Sequence, residues 1–308
     1  MDVLDGVSFR QAADHLAVHA GSPVDQRLPV PDQPMTVSLS GLATLRRQVP
    51  ATCFWMQLRG VTEIHATEGR FVLRQGSWIT FDPDSLVELQ AMHHGLTVGL
   101  VIPRQYPLPE GGLLPGAGQA RIPDIRVALD LWRHQAAAPD LPDARQRALR
   151  PLLLHLQHLQ ASLHDLVDRC PGRTLARKRQ VMARMQRVRM FMEGNTDRSV
   201  RLAELAELSR FSEWWVSKTY RAIYGETVQE TSIRLRMERA RNLLESTSLS
   251  ISELGEACGF HDPCSFARLF KRRHGQTASK WRLRSQSRRQ TLSSQSARFP
   301  PALTQVRT

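Results

Sequence analysis

Between residues 202 and 275 the chain repeats itself. LAELAELSRFS (202–212) lies parallel to ISELGEACGFH (251–261) at an offset of 49, with Leu202 against Ile251, Glu204 against Glu253, Leu205 against Leu254 and Phe211 against Phe260. Beyond the turn, WWVSKTYRAIYG (214–225) lies parallel to CSFARLFKRRHG (264–275) at an offset of 50, so that Val216 meets Phe266, Lys218 meets Arg268, Tyr220 meets Phe270 and Gly225 meets Gly275. The one-residue change of offset falls in the turn, where an insertion is easiest to accept. Each unit reads as a short helix, a tight turn and a second helix whose i, i+4 apolar pair packs inward. A cation two residues after the first apolar anchor points outward. This is the pattern of a helix-turn-helix, whose second helix lies in the DNA major groove. One such match arises readily by chance; two in succession constrain the chain far more.

Charge agrees with this reading. Residues 1–170 hold 15 Arg, no Lys and 17 acidic residues, whereas residues 171–308 hold 27 Lys and Arg against 12 acidic residues, so the whole net charge of +13 comes from the C-terminal part. A polyanion is expected there, nucleic acid ahead of an acidic membrane surface. Local chemistry marks the same helices. Asp262 suits the cap of the second reading helix, with Pro263 at the first helical position, where a missing N–H is no loss. Ser212 suits the cap of the first, and Glu213 its positive end. TVQETSIRLRMERARNLLES (227–246) joins the units as an amphipathic helix. At 1.5 Å per residue it spans roughly 30 Å, comparable with the ~34 Å between successive major-groove faces on one side of a duplex.

SISELGEACGFHDPCSFARLFKRRHGQTASKWR resembles the second helix-turn-helix of the AraC/XylS family of bacterial transcription regulators, and RLAELAELSRFSEWWVSKTYRAIYGETVQETSIRLRMERARNLL resembles the first with its connecting helix. The likeness covers about residues 185–283. It implies a sequence-specific regulator of double-stranded DNA that recruits or obstructs RNA polymerase. By matching positions, the first reading helix offers Trp214, Trp215, Ser217, Lys218 and Arg221, and the second Cys264, Ser265, Arg268, Lys271 and Arg272. Lys218 and Arg268 are the candidate base readers, because Arg and Lys pair with guanine O6 and N7. Arg221, Lys271, Arg272 and Arg273 are expected on phosphates, which set affinity and register. Three departures stand out. Arg210 occupies the place of a turn glycine, so a positive φ there would strain it. Ser217 and Ala267 are small, and Cys264 replaces a serine or longer polar group.

The chain before these repeats has another character. MTVSLSGLATL, TCFWMQL, VTEIHA, RFVLR, SWITF, LVELQA and LTVGLVI are short, alternating or β-branched, and separated by Gly, Asp and Pro. They predict an antiparallel sandwich or small barrel over residues 35–103, loosely similar to the cupin-like sensor domain common in the resembled family. Residues 1–34 read as an arm, with a short amphipathic helix at 8–20 and a Pro-rich connector, and residues 104–122 as a linker. In residues 123–170, Leu149, Leu152, Leu156, Leu159, Leu163 and Leu166 step by 3, 4, 3, 4, 3. Such an a/d seam suits pairing with another helix, hence a homodimer, or packing on the β domain. Residues 171–184 read as a second linker, 185–284 as the DNA-binding domain, and 285–308 as a disordered tail. The expected fold is therefore α+β and multidomain: a cupin-like β-sandwich or barrel with helices, then an all-α tandem helix-turn-helix.

Other chemistry is weaker. Cys258, His261 and Cys264 invite a zinc reading, yet Cys258 falls at a core position and Cys264 on the outward face. His155, His158 and His164 suit a solvated helix face. A cupin enzyme would need clustered ligands, and His65 with Glu68 is the only neighbouring pair, while His93 and His94 face opposite ways in a strand. Neither enzymatic activity nor a cofactor is expected. Trp55, Arg59, His65 and Trp78 are the candidate lining of an effector pocket in the β domain. The acidic amino terminus lacks an apolar core of signal-peptide type, no stretch approaches the ~20 apolar residues of a membrane span, and four scattered cysteines do not form a disulfide framework. A cytoplasmic location without membrane contact is expected. The alternative reading is a structural DNA-binding protein whose β domain only mediates assembly.

Overall fold

The computed structural model describes residues 15–19, 26–27, 32–47, 50–108, 112–139, 141–285 and 287. Eleven strands are described: β1 (His15–Val18), β2 (Gln26–Arg27), β3 (Met35–Ser40), β4 (Thr44–Arg47), β5 (Ala51–Arg59), β6 (Val61–Ala66), β7 (Gly69–Arg74), β8 (Ser77–Phe81), β9 (Val87–Ala91), β10 (Leu96–Pro103) and β11 (Gly116–Gln119). The helices are α1 (Ile122–Ala136), α2 (Pro142–Leu159), α3 (Ala161–His164), α4 (Leu175–Gly194), α5 (Leu202–Ser209), α6 (Glu213–Tyr224), α7 (Val228–Ser246), α8 (Ile251–Ala257) and α9 (Pro263–His274).

Two sheets form the expected sandwich. One has the order β1-β3-β10-β5-β8-β11, the other β2-β4-β9-β6-β7. Their facing sides meet in a core that includes Val37, Leu39, Trp55, Ile79 and Phe81 from the first sheet and Leu45, Ile64, Leu73 and Leu89 from the second. The first sheet is buried on its other side as well, where Phe54, Met56, Trp78, Val98 and Leu100 meet α1 and α2. This explains why LTVGLVIP of β10 is buried at every position, whereas VTEIHA of β6, solvated on one face, keeps its alternation.

The leucine seam packs inside its own chain. Leu149, Leu152 and Leu156 are buried against the sheet, with Leu159 and Leu163 packed at the margin. Polar anchors fix this arrangement: the Trp132 indole donates to the Gly99 carbonyl at 3.1 Å, and the Gln160 amide donates to Thr80 Oγ1 at 2.9 Å. The seam is also interrupted, because α2 ends at Leu159 and α3 begins at Ala161. Of the two destinations its spacing allows, a partner helix or the β domain, the seam takes the second. Burying such leucines contributes on the order of 1.5–3 kcal/mol each, which a face already inside the core cannot offer to a partner.

Three boundaries also change. Residues 15–18 form an edge strand paired in parallel with β3 rather than part of a helix, and residues 8–14 lie outside the described set. A four-residue apolar run carries too little periodicity to separate the two states. Within the expected 104–122 linker, GAGQ pairs with β8, where Gly118 leaves room for the Trp78 indole: a β-carbon there would stand 2.5 Å from Trp78 Cζ2. The expected 171–184 linker is helical from Leu175, capped by Thr174 Oγ1, which accepts from the Arg177 N–H at 3.2 Å. The proposed tail lies outside the described residues from 288 onward. Among the described residues, no helix is long and apolar enough to cross a membrane.

The chain divides into two compact units, the described parts of 1–195 with 201–228, and of 196–200 with 229–308. The sandwich, α4 and the first helix-turn-helix share the first unit; most of α7 and the second helix-turn-helix make the other. Both motifs lie within the expected 185–284 domain, and this division falls between them.

Candidate nucleic-acid interface

The two motifs share the hydrogen bonds that start the first helix and close the turn. Glu204 reaches back to the Arg201 N–H at 2.8 Å, and Glu253 to the Ser250 N–H at 2.7 Å, which is the physical reason both copies carry this glutamate. At the turn, the Arg210 N–H bonds the Glu207 carbonyl and the Phe211 N–H the Ala206 carbonyl. The Gly259 N–H bonds Glu256 and the Phe260 N–H bonds Gly255 in the same pattern. These are Schellman closures, which place the residue after the helix in the left-handed region. Gly259 has φ 73°, and Arg210 has φ 55° and ψ 41°. The arginine is thus held in the conformation that its sequence position called into question.

The reading helices start on caps and stop on glycines. Ser212 Oγ accepts from the Trp215 N–H at 3.3 Å. Asp262 accepts from the Cys264 and Ser265 N–H groups, each at 3.0 Å, and from the Ser265 hydroxyl. These bonds, the Ser265 hydroxyl first, hold the Asp262 carboxyl below its ordinary pKa. Gly225 (φ 74°) and Gly275 (φ 73°) end α6 and α9, with N–H groups bonded to Arg221 and Lys271.

Each reading helix buries one stripe and exposes another. Val216, Tyr220 and Ile223 are inside, as are Phe266 and Phe270. Outside on α6 stand Trp214, Lys218 and Arg221, and at the matching positions of α9 Cys264, Arg268 and Lys271, with Arg272 and Arg273 beside them. Trp214 is 68% exposed, and the Lys218 ammonium lies 4.8 Å from its ring centroid, a cation–π contact that directs the lysine. Trp215 is half-buried, with its ring tilted against that of Phe211, the centroids 3.8 Å apart. Ser217 and Ser265 are half-buried, the latter accepting from Arg268 Nη2 at 3.5 Å. Cys258 is buried in the core and Cys264 is exposed, on different sides of the turn.

Sequence reading missed one pair of residues. Arg236 of α7 is buried, donates to the Cys258 and Gly259 carbonyls at 2.7 and 2.6 Å, and lies 3.7 Å from the Phe260 ring. Burial lowers its pKa. Arg184 of α4 does the same for the first turn, donating to the Ser209 carbonyl at 3.5 Å and lying 4.8 Å from the Phe211 ring. The sequence signal was present: RMQRVR (184–189) matches RMERAR (236–241), and Met185 and Met237 are both buried. The repeat therefore has three helices, a long one whose arginine clamps the turn of the two that follow.

The candidate effector residues do not converge. Trp55 lies between the sheets, Trp78 lies on the opposite side of the first sheet and stacks on Phe54 at 5.7 Å, while Arg59 and His65 are exposed. Glu68 is buried against Arg187 rather than placed beside His65.

Residues 205–284 match a family model described as a helix-turn-helix domain. The chain is 35% identical over 94 residues to the HTH-type transcriptional activator RhaR of an Enterobacter species (strain 638), covering 30% of this chain and 33% of that protein. It is 29% identical over 100 residues to the Msm operon regulatory protein of Streptococcus mutans serotype c, covering 32% and 36%. The chain thus spans about a third of the length of these curated relatives. Among solved structures, it is similar to the C-terminal domain of AraT, a response regulator from Geobacillus stearothermophilus, at 26% identity and a TM-score of 0.31, covering 32% of this chain and 83% of that one.

Proposed function

We propose that the whole chain is a sequence-specific, DNA-binding transcription regulator of AraC/XylS type, from a C-terminal region that matches a helix-turn-helix family model over residues 205–284. The observation that carries this is the pair of capped helices, each presenting outward cations at matched positions over a buried, largely apolar face. Each helix takes one major groove. Lys218 and Arg268 read base edges, while Arg221, Lys271, Arg272 and Arg273 hold phosphates. The regulators named above support a role in transcription; RNA polymerase would be the partner through which it is exerted. The sandwich would receive a small-molecule effector.

The test is a mobility-shift titration of the full chain against its own upstream DNA, with and without excess random duplex. Arg268→Ala is expected to weaken the cognate site by about 1–3 kcal/mol and relax one base position, whereas Lys271→Ala weakens all sequences alike and lowers the salt slope by about one. Equal losses on cognate and random DNA for Arg268→Ala would remove it from base reading. A wild-type chain without preference for any upstream site would favour the structural DNA-binding alternative.

A further inference from the structure

The helix that builds the first motif is also a component of the sandwich. Along α4, Arg187, Met190 and Gly194 fall on one face at i, i+3 and i+7. Met190 is buried within the core between the sheets. Arg187 Nε donates at 2.8 Å to Oε1 of the fully buried Glu68, which also accepts from Ser85 Oγ at 2.6 Å; Asp82 stands 4.0 Å from Arg187 Nη1. Gly194 and Gly69 meet backbone to backbone: a β-carbon on Gly69 would stand 2.5 Å from the Gly194 carbonyl oxygen, and one on Gly194 would stand 2.6 Å from that of Glu68. Asn195 closes the contact by donating to the Glu68 carbonyl at 2.9 Å. Arg184 and Arg189 of the same helix reach the motif instead, the first at the Ser209 carbonyl and Phe211 ring, the second 5.3 Å from the Tyr224 ring.

The duplicate supplies a control within the chain. At the 52-residue offset defined by RMQRVR and RMERAR, Met190 corresponds to Asn242 and Gly194 to Ser246, and both counterparts are polar and exposed. Two copies of one helix thus differ where one of them enters the sandwich. We infer that the sandwich positions the first reading helix, α6, through two contacts of α4, Met190 in the core and Arg187 on the buried Glu68, whereas on α7 the counterparts of Met190 and Gly194, Asn242 and Ser246, are exposed. Any ligand that moves Met190 or separates the ion pair then acts on the first motif directly. That consequence rests on the regulator reading; the positioning itself does not.

Amide hydrogen exchange on the full chain without DNA tests it. In Glu68→Gln, exchange in α4, α5 and α6 should accelerate on the order of tenfold, because a charge-assisted hydrogen bond is weakened. The central strands β5 and β10, and α8 with α9, should keep their wild-type rates. The double variant Glu68→Gln/Arg187→Met should recover part of that protection, since neither charge is then stranded. Asn242→Ala should leave all segments unchanged. Acceleration confined to α4, uniform acceleration of the sandwich and motif together, absence of any change in Glu68→Gln, or failure of the double variant to recover protection would each overturn the inference. Because no DNA is present, such a failure is separate from any failure to bind an upstream site.

Discussion

Replacing Arg210 by glycine should stabilise the protein, a counterintuitive result for an arginine in a cationic DNA-binding region. The residue is exposed and sits at φ 55°, where the Schellman closure of α5 requires a left-handed conformation. That conformation costs an L-residue about 1–2 kcal/mol. Glycine removes this strain but adds about 0.4–1 kcal/mol of unfolded-state entropy, leaving a net gain of about 0.5–1 kcal/mol. For a unit of this size, a gain of that order raises the melting temperature by roughly 1–4 °C. Arg210→Ala keeps the β-carbon and therefore the strain, so its stability should stay within about 0.5 kcal/mol of the parent. The duplicate gives the reverse arm. A β-carbon on Gly259 would stand 2.6 Å from Arg198 Cα and 2.8 Å from the Asp197 carbonyl oxygen, at φ 73°, so Gly259→Ala should destabilise the second motif. Urea and thermal unfolding of the full-length variants, followed by helix circular dichroism, provide the measurement. A loss of stability in both Arg210→Gly and Arg210→Ala would show that the side chain, not the backbone, governs this position.

The remaining predictions address the cap, the thiols and the leucine seam. Because the folded pKa of Asp262 is lowered, its contribution is fully present above the ordinary value of 3.8 and lost as pH falls through the folded value. The difference in urea midpoint between the parent and Asp262→Asn should therefore narrow between pH 5 and pH 3, and a constant difference would refute the cap's role. Burial pushes the Cys258 and Cys170 thiols up to about 11, Cys53 is buried, and Cys264 is exposed. Native protein should thus expose one fast-reacting thiol to a disulfide reagent, Cys264, and cognate DNA should protect it; undiminished labelling on saturated DNA would place that face of α9 away from the groove. Leu156→Ala should cost about 2–5 kcal/mol and leave the oligomeric state unchanged in sedimentation, whereas dissociation of a dimer without loss of stability would restore the seam as an interface.

What the sequence made legible follows the range over which each signal acts. The caps at Ser212 and Asp262, the turn at Arg210 and Gly259, and the inward pairs Val216/Tyr220 and Phe266/Phe270 depend on residues a few positions apart, so periodicity and motif alignment reached them. The destination of the Leu149–Leu156 face did not follow from its spacing, because the same period serves a partner helix or a sheet. Strand β11 was illegible for the opposite reason: GAGQ has almost no side chains to carry a pattern, and its role is to leave space for Trp78.

The repeat also carried more information than its most evident stretch. Alignment from Leu202 onward finds the short helix, the turn and the second helix, where both copies close the backbone in the same way. The long helices α4 and α7 diverge over most of their length, and among the matched arginines of RMQRVR and RMERAR one pair shares a task while another does not. Arg184 and Arg236 both clamp a turn, and this shared duty preserves the motif. Arg187 instead ends on the buried Glu68, whereas its counterpart Arg239 lies in the other unit beside Cys258, whose thiol it helps to hold below the value burial alone would give. In a duplicated scaffold, agreement between copies therefore marks what the fold demands of each motif. Disagreement at an otherwise matched position, as at Met190 and Asn242, marks where one copy has acquired a neighbour that the other lacks.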